Sequence, residues 1–261
     1  MNSNKVALVT AGAGMGIGAG IVRRLAEDGF NVVVTDSHER RSQAMADELS
    51  ERHGRPFRSF VLDVTDAAMV ESVMNQVVDE LGGLEVLVNN AGWSKIEPIS
   101  EMSLETWSTC VNVDLTGTFL CMRYALPHMI AAKSGSIVNI SSIAAYETSV
   151  EHGGAYSAAK AGVLALTRVA AAENGKHNIR VNAIVPGLIY NDFLRKIYPD
   201  EFFDGYAEQR SLVGRVGQPE DIARLLPRFR PGRVHHGREL RRQRGSVPAC
   251  LTTPTCGLSR L

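Results

Sequence analysis

The sequence predicts a single α/β domain built on a doubly wound parallel sheet, and three observations predict it. From Lys5 to about Ala223, short runs rich in β-branched residues alternate with longer amphipathic stretches. The strand-like runs are close to continuously apolar, as strands covered on both faces must be. The first of them runs into a cluster of glycines that opens a helix pattern, and strand ends near a switch in strand order are where such sheets hold ligands.

Taken in order, the first strand is KVALVT, followed by TAGAGMGIGAG with glycines at Gly12, Gly16 and Gly18. Glycines between a strand and a helix allow a tight turn and a close backbone approach. The helix amino end then presents free N–H groups and a positive dipole to a pyrophosphate. A helix pattern, GIVRRLAEDG, leads to the second strand, NVVVTD, which ends on Asp36, 18 residues past Gly18. A carboxylate there can accept both ribose hydroxyls of an adenosine and would repel a 2′-phosphate, which favours NAD over NADP. Arg40 and Arg41 lie close to it in sequence, and the plain alternative is that Asp36 caps the helix SHERRSQAMADEL.

The third strand is RSFVLD. The helix AAMVESVMNQVVDELGG follows and is stopped by Gly82 and Gly83, and the remaining strands are LEVLVNN, GSIVNIS and IRVNAIV. After GSIVNIS, the stretch AYSAAKAG sets Tyr156 and Lys160 four residues apart, on one helix face. Tyrosine is a poor base at neutral pH, but an ammonium one turn away favours the phenolate, as does a positively charged nicotinamide ring. Tyr156 can then take a proton from an alcohol as hydride leaves, and return it in the reverse direction. Ser142, fourteen residues before Tyr156, stands where it can donate a hydrogen bond to a carbonyl oxygen; alone it would read as a strand-end turn serine.

These motifs resemble those of the short-chain dehydrogenase/reductase family, of the kind that includes 3-oxoacyl-carrier-protein reductases and many sugar, steroid and alcohol dehydrogenases. The resemblance rests on GAGMGIG, Asp36, LDV, NNAG, NISS, YSAAK, RVNAIVPG and GRVGQPEDIA, and runs from Lys5 to about Ala223. It implies a Rossmann domain over residues 1–223, binding NAD with NADP the lesser choice. It further implies a small alcohol or ketone substrate, and catalysis by Ser142, Tyr156 and Lys160. Lys160 would also hold the nicotinamide ribose. Gly12, Met15, Gly16, Ile17 and Gly18 would cradle the cofactor, and Asp63 and Val64 would flank its adenine. Asn90, Ala91 and Gly92 would line the adenosine side, and Pro186, Gly187 and Ile189 would hold the nicotinamide amide.

Three departures stand out. Ala11 interrupts the usual Thr-Gly pair between Thr10 and Gly12, although the Gly12-Gly16-Gly18 spacing survives. The family's catalytic asparagine precedes a Leu-Thr-Gly-like run, and here VNVDLTG puts Asp114 in its place, with Asn112 two residues earlier and aimed elsewhere on a helix. Asp114 is therefore counted with the catalytic set, supporting the lysine differently from an amide. Asn191 occupies a position where a threonine often touches the cofactor. The aromatic-rich stretch YNDFLRKIYPDEFFDGYAEQRS stands where the family carries its substrate lid.

Composition is that of an ordinary globular protein. No apolar run reaches the ~18 residues of a membrane span, and no signal peptide precedes the first strand, so a cytoplasmic location and no membrane partner are expected. Cys110, Cys121, Cys250 and Cys256 have no metal spacing, nor do His128, His152 and His177, so no metal is expected. Trp93 and Trp107 read as packing residues, although Trp93 follows NNAG and can edge a pocket. The family's usual homo-oligomer, a tetramer or dimer, is expected.

The net charge of zero hides a split. Residues 1–223 hold 19 Lys and Arg against 27 Asp and Glu, whereas residues 224–261 hold nine Arg and the single acid Glu239. This tail has scattered prolines and glycines and no sustained period, so it reads as disordered. In the family, PEDIA is followed by a helix ending in FLAS, then ITGE and a last strand ending in a Gly-Gly pair. Read one base along, His235 to Leu240 can encode I-T-G-E-N-Y, Arg241 to Arg244 continue as V-V-N-G, and Leu226 to Phe229 are compatible with F-L-A-S. The tail from about residue 225 is therefore read as a frameshift product that disrupts the C-terminal helix and strand. Its arginines then follow from codon usage, and no specific nucleic-acid partner is expected. Two weaker readings are a cofactor-binding protein made catalytically impaired by this ending, and a nucleic-acid-associated protein using the Arg-rich tail.

Overall fold

The computed structural model describes residues 5–147, 152–191, 194, 199–211, 213–226, 239–241 and 250–251. The six sequence-read strands all form: β1 (Val6–Val9), β2 (Asn31–Asp36), β3 (Arg58–Val61), β4 (Val86–Asn89), β5 (Gly135–Ile140) and β6 (Ile179–Val185). With β7 (Glu239–Arg241) and β8 (Cys250–Leu251) they make one sheet of order β3-β2-β1-β4-β5-β6-β7-β8. Every pairing is parallel except β7 with β8. Chain order runs outward in one direction from β1 and in the other from β4, so the switch point lies between these two strands.

Helices α1 (Ile17–Glu27), α2 (Glu39–His53), α3 (Ala67–Leu81), α4 (Leu104–Val111), α5 (Gly117–Ala132) and α6 (Gly154–Asn174) connect the strands. Two more, α7 (Asp200–Arg210) and α8 (Pro219–Ala223), follow β6. The central strands are wholly buried, which is why their sequences are apolar without alternation. One face packs Ala7, Val9, Val32, Val34, Val86 and Val88 against Ile21, Val22 and Leu25 of α1, with Met45 and Leu49 of α2. The other packs Val6, Leu8, Val33, Leu87 and Ile137 against Val70, Val73 and Met74 of α3, with Leu120, Cys121 and Met129 of α5. α3 starts where the Asp66 carboxylate accepts from the N–H groups of Ala68 and Met69, and ends at Gly82 in the left-handed region (φ 83°).

Beyond Arg224, Leu225 and Leu226 pack at the core, and five further residues pair as two short strands. β7 aligns Glu239, Leu240 and Arg241 with Ala183, Ile184 and Val185, and β8 pairs back on it through Leu240–Leu251 and Arg241–Cys250. Neither strand carries an apolar period that would announce it; backbone pairing makes them, β7 on the edge of β6 and β8 on β7. The disorder expected for the rest of the tail falls on residues outside those described. Among the described residues, no helix is long and apolar enough to cross a membrane.

Candidate active site

The carboxyl ends of β1, β4, β5 and β6 converge on one side of the sheet, and local chemistry sets each. The inserted Ala11 lets the chain leave β1 in the left-handed conformation (φ 48°), which L-residues other than glycine avoid. The turn is locked to β4: Thr10 Oγ1 accepts from the N–H groups of Asn90 and Ala91 at 2.9 and 3.0 Å, and Asn90 Nδ2 donates to the carbonyls of Thr10 and Ala11, both at 3.1 Å. The amide donors of Asn90 are thus directed into the protein's own turn rather than toward a ligand. Gly18 closes the cradle. A Cβ there would sit 2.3 Å from the Ala11 carbonyl oxygen and 2.5 Å from Asn90 Nδ2, so only glycine lets α1 start this close to the strand.

Gly16 is the residue before α1, and no side chain caps its first turn, which also lacks an acidic residue. The helix N–H groups are thereby left for an anion. Met15 is exposed beside them, while Gly12 and Gly18 are buried. Asp36 ends β2 nearly buried, and its Oδ1 accepts from the His38 N–H and from Arg41 Nη2, both at 3.0 Å. The helix that follows is capped at His38, so Asp36 is not the cap residue, although it does accept the His38 N–H at the entry to the helix. Asp63 accepts from the N–H and hydroxyl of Thr65, and Val64 is buried in the core.

The catalytic candidates meet around α6. Ser142 ends the strand segment after β5; its Oγ accepts from the Ala144 N–H at 3.2 Å, which leaves its own hydrogen to donate. Ser142 is thus a turn serine whose hydroxyl hydrogen is not taken up by that turn. The short 3₁₀ turn Ile143–Ala145 packs against α6. On α6, Tyr156 is half-buried and the Lys160 ammonium lies 5.4 Å from its ring centroid. Lys160 donates to the Ile140 carbonyl at 3.0 Å, and Ser141 Oγ donates to the Lys160 carbonyl at 2.9 Å, which ties the helix to β5.

Asp114 sits in a π-helical turn, Asn112–Thr116, between α4 and α5, and is fully buried. A π turn rotates its residues off the helical phase, and such turns recur at functional sites. Asn112 is exposed, as the sequence reading required, while Asp114 Oδ1 lies 2.9 Å from Lys160 Nζ. Oδ2 accepts from the Trp93 N–H at 2.8 Å. Gly92 makes room for the pair, since a Cβ on it would lie 3.0 Å from Oδ1 and 3.5 Å from Nζ. Burial pushes the Lys160 ammonium down, but the Asp114 carboxylate, aided by Tyr156 and Cys110, outweighs it and holds it above the ordinary lysine range. The Cys110 thiol, desolvated and beside Asp114, is pushed up to about 12 and stays neutral.

Pro186 to Ile189 follow β6. The Pro186 carbonyl accepts from the Ile143 N–H at 2.9 Å, which links this segment to the one bearing Ser142. Ile189 bridges to Gly217 and is buried, and Gly187 is half-buried. Asn191 Oδ1 accepts from the Leu194 N–H at 2.8 Å. Trp93 and Trp107 are 37% and 43% exposed, so they pack less than their size suggested. The His152 ring lies 6.3 Å from that of Tyr156. No cluster of potential metal ligands occurs among the described residues.

One buried network was missed from sequence. Asn89 Nδ2 donates to Asn139 Oδ1 at 2.8 Å, and Asn139 Nδ2 to Thr167 Oγ1 at 2.9 Å, which links β4, β5 and α6 beneath the site. The signal was an amide inside two apolar strands, LVNN and IVNIS, where a polar group must find a partner.

The cradle fits a dinucleotide: an uncapped helix start, a glycine that a Cβ would foul, and a nearly buried carboxylate at the end of the next strand. The sequence profile described as short chain dehydrogenase matches residues 5–201. Among curated proteins, the chain is 37% identical over 227 residues to the (2S)-[(R)-hydroxy(phenyl)methyl]succinyl-CoA dehydrogenase subunit BbsD of Thauera aromatica, covering 85% of this chain and 88% of that one. It is 37% identical over 227 residues to the 3-oxoacyl-[acyl-carrier-protein] reductase FabG of Staphylococcus aureus, covering 87% and 90%. Among solved structures, a short chain dehydrogenase from Mycobacterium smegmatis superposes with a TM-score of 0.79 at 32% identity, covering 95% of this chain and 94% of that one.

Proposed function

The chain belongs to the short-chain dehydrogenase family of oxidoreductases, and from that membership we propose that it moves a hydride between NAD(H) and a secondary alcohol or ketone borne on an acyl thioester. The observation that carries the reading is the grouping of Ser142, Tyr156 and Lys160 at the carboxyl ends of the sheet, next to the glycine cradle. The thioester rests on relatives named as a hydroxy(phenyl)methylsuccinyl-CoA dehydrogenase, a hydroxylated indene-carboxyl-CoA reductase and 3-oxoacyl-[acyl-carrier-protein] reductases.

Gly12, Met15, Gly16, Ile17 and Gly18 would hold the pyrophosphate on the α1 start, and Asp36 the adenosine ribose. Asp63 and Val64 would flank the adenine, with Asn90, Ala91 and Gly92 beside it. Pro186, Gly187 and Ile189 would hold the amide of the nicotinamide, and Lys160 its ribose. When bound, the nicotinamide supplies or accepts the hydride. Ser142 donates its free hydrogen to the substrate oxygen and orients it. Tyr156 gives its phenolic proton to that oxygen in reduction and takes it back in oxidation. Lys160, one turn from Tyr156 with its ammonium 5.4 Å from the ring centroid, sets the electrostatic field at the phenol.

The test is turnover of acetoacetyl-CoA with NADH, run against NADPH and against a simple ketone, in wild type and Tyr156→Phe. The thioester with NADH should be preferred, and Tyr156→Phe should lose at least ~10²-fold in kcat while still binding NADH. Loss of neither, or no carbonyl turnover at all, would overturn the reading.

A further inference from the structure

The Asp114–Lys160 contact changes what the lysine can do. An amide at this position would leave Lys160 with a full positive charge directed at Tyr156. The carboxylate makes the two buried groups a neutral pair, so the field at Tyr156 falls from that of a charge to that of a dipole. The pair is held from every side. Trp93 N–H fixes Oδ2, the Ile140 carbonyl fixes the ammonium, the π turn aims Asp114 inward, and Gly92 leaves the space.

We propose that Asp114 is a positioning residue that fixes Lys160 and offsets its charge at the Tyr156 hydroxyl, so that Tyr156 keeps its proton at neutral pH and the site serves carbonyl reduction there better than alcohol oxidation. The proposal rests on Tyr156 as the acid–base group. The elevated Lys160 ammonium agrees with it, since a carboxylate must sit close enough to outweigh full burial. Among the described residues, other ionisable groups on adjoining elements are few. The Cys110 thiol of α4 stays neutral, the His152 ring lies 6.3 Å from the Tyr156 ring, Glu105 of α4 is exposed, and Lys95 pairs with Glu97 on the loop whose Lys95 carbonyl abuts Gly153. None of these pairs with Lys160, whose ion-pair partner is Asp114.

The decisive experiment is the pH profile of kcat/KM for alcohol oxidation in wild type, Asp114→Asn and Asp114→Glu. The acidic limb should move down by about one pH unit in Asp114→Asn, which makes oxidation on that limb roughly 10-fold faster at a given pH. Asp114→Glu keeps the charge and should leave the limb within ~0.3 unit of wild type. An unmoved or upward-moving limb in Asp114→Asn overturns the proposal. If Asp114→Asn does not fold, or no substrate turns over, ultraviolet difference titration of wild type against Tyr156→Phe decides instead. A phenolate signal from Tyr156 already present at neutral pH sinks the proposal, and its absence there supports it. Failure of turnover alone counts against the proposed activity, not against the charge offset.

Discussion

Asp114 and Lys160 form an ion pair with 0% and 4% side-chain exposure, their charged atoms 2.9 Å apart. Such pairs add little net stability because desolvation offsets the attraction, but breaking one strands the other charge in the interior. Lys160→Met should therefore destabilise the protein by about 3–5 kcal/mol, and adding Asp114→Asn should recover a large part of that loss. Urea unfolding of the two single variants and the double variant measures this. If Lys160→Met unfolds like wild type, the buried pair does not exist in solution.

Ala11 gives a second prediction. A left-handed backbone costs an L-residue roughly 1–2 kcal/mol, and this one stands at the turn that sets both Asn90 and the start of α1. Ala11→Gly relieves that strain but adds freedom to the unfolded chain, for a net gain of about 0.5–1 kcal/mol. A thermal scan should show Tm higher by about 1–3 °C. A lower Tm would mean that the turn is relaxed.

What was legible in the sequence follows from range. The six buried strands, α1 and α3 were readable because burial on both faces leaves an unbroken apolar run, and glycine stops such as Gly82 mark its limits. The placing of Lys160 one turn from Tyr156, after the strand that ends near Ser142, was readable because a motif keeps their spacing local. Motif position put Asp114 with the lysine, but not the direct buried ion pair, which depends on a π turn and on how α4 and α5 lie against α6, neither of which leaves a period in the chain. The Asn89–Asn139–Thr167 link was hidden for the same reason: each partner comes from a different element.

Asp36 separates cofactor binding from helix entry. Its carboxylate contacts run through Oδ1, to the His38 N–H, the His38 ring and Arg41. If the carboxylate also holds the adenosine ribose, Asp36→Ala should weaken NADH binding at least 10-fold, a loss of about 1.5–3 kcal/mol for hydrogen bonds to a charged group. It should also narrow the gap to NADPH, because Arg41 is released to meet a 2′-phosphate. Fluorescence titration with both cofactors checks this. Unchanged NADH affinity with a lowered Tm would leave Asp36 a helix-entry residue and nothing more.

The C-terminal strand tests the reading frame. β7 places Glu239, Leu240 and Arg241 beside Ala183, Ile184 and Val185, three β6 residues that are 2% exposed or less. A parallel strand next to such a neighbour should be apolar, and two charged residues out of three oppose that. Read one base along, the same codons can give Asn, Tyr and Val, which suit the position better, and the flanking codons can give the family's ITGE and V-V-N-G. Resequencing the coding DNA from Pro219 onward should reveal a one-base or two-base lesion. A chain carrying the restored ending should melt at least ~5 °C higher than the printed one, because a packed helix and an apolar edge strand replace an Arg-rich segment. A confirmed frame, together with a restored ending that brings no gain in Tm, would show that the arginine tail is the protein's own.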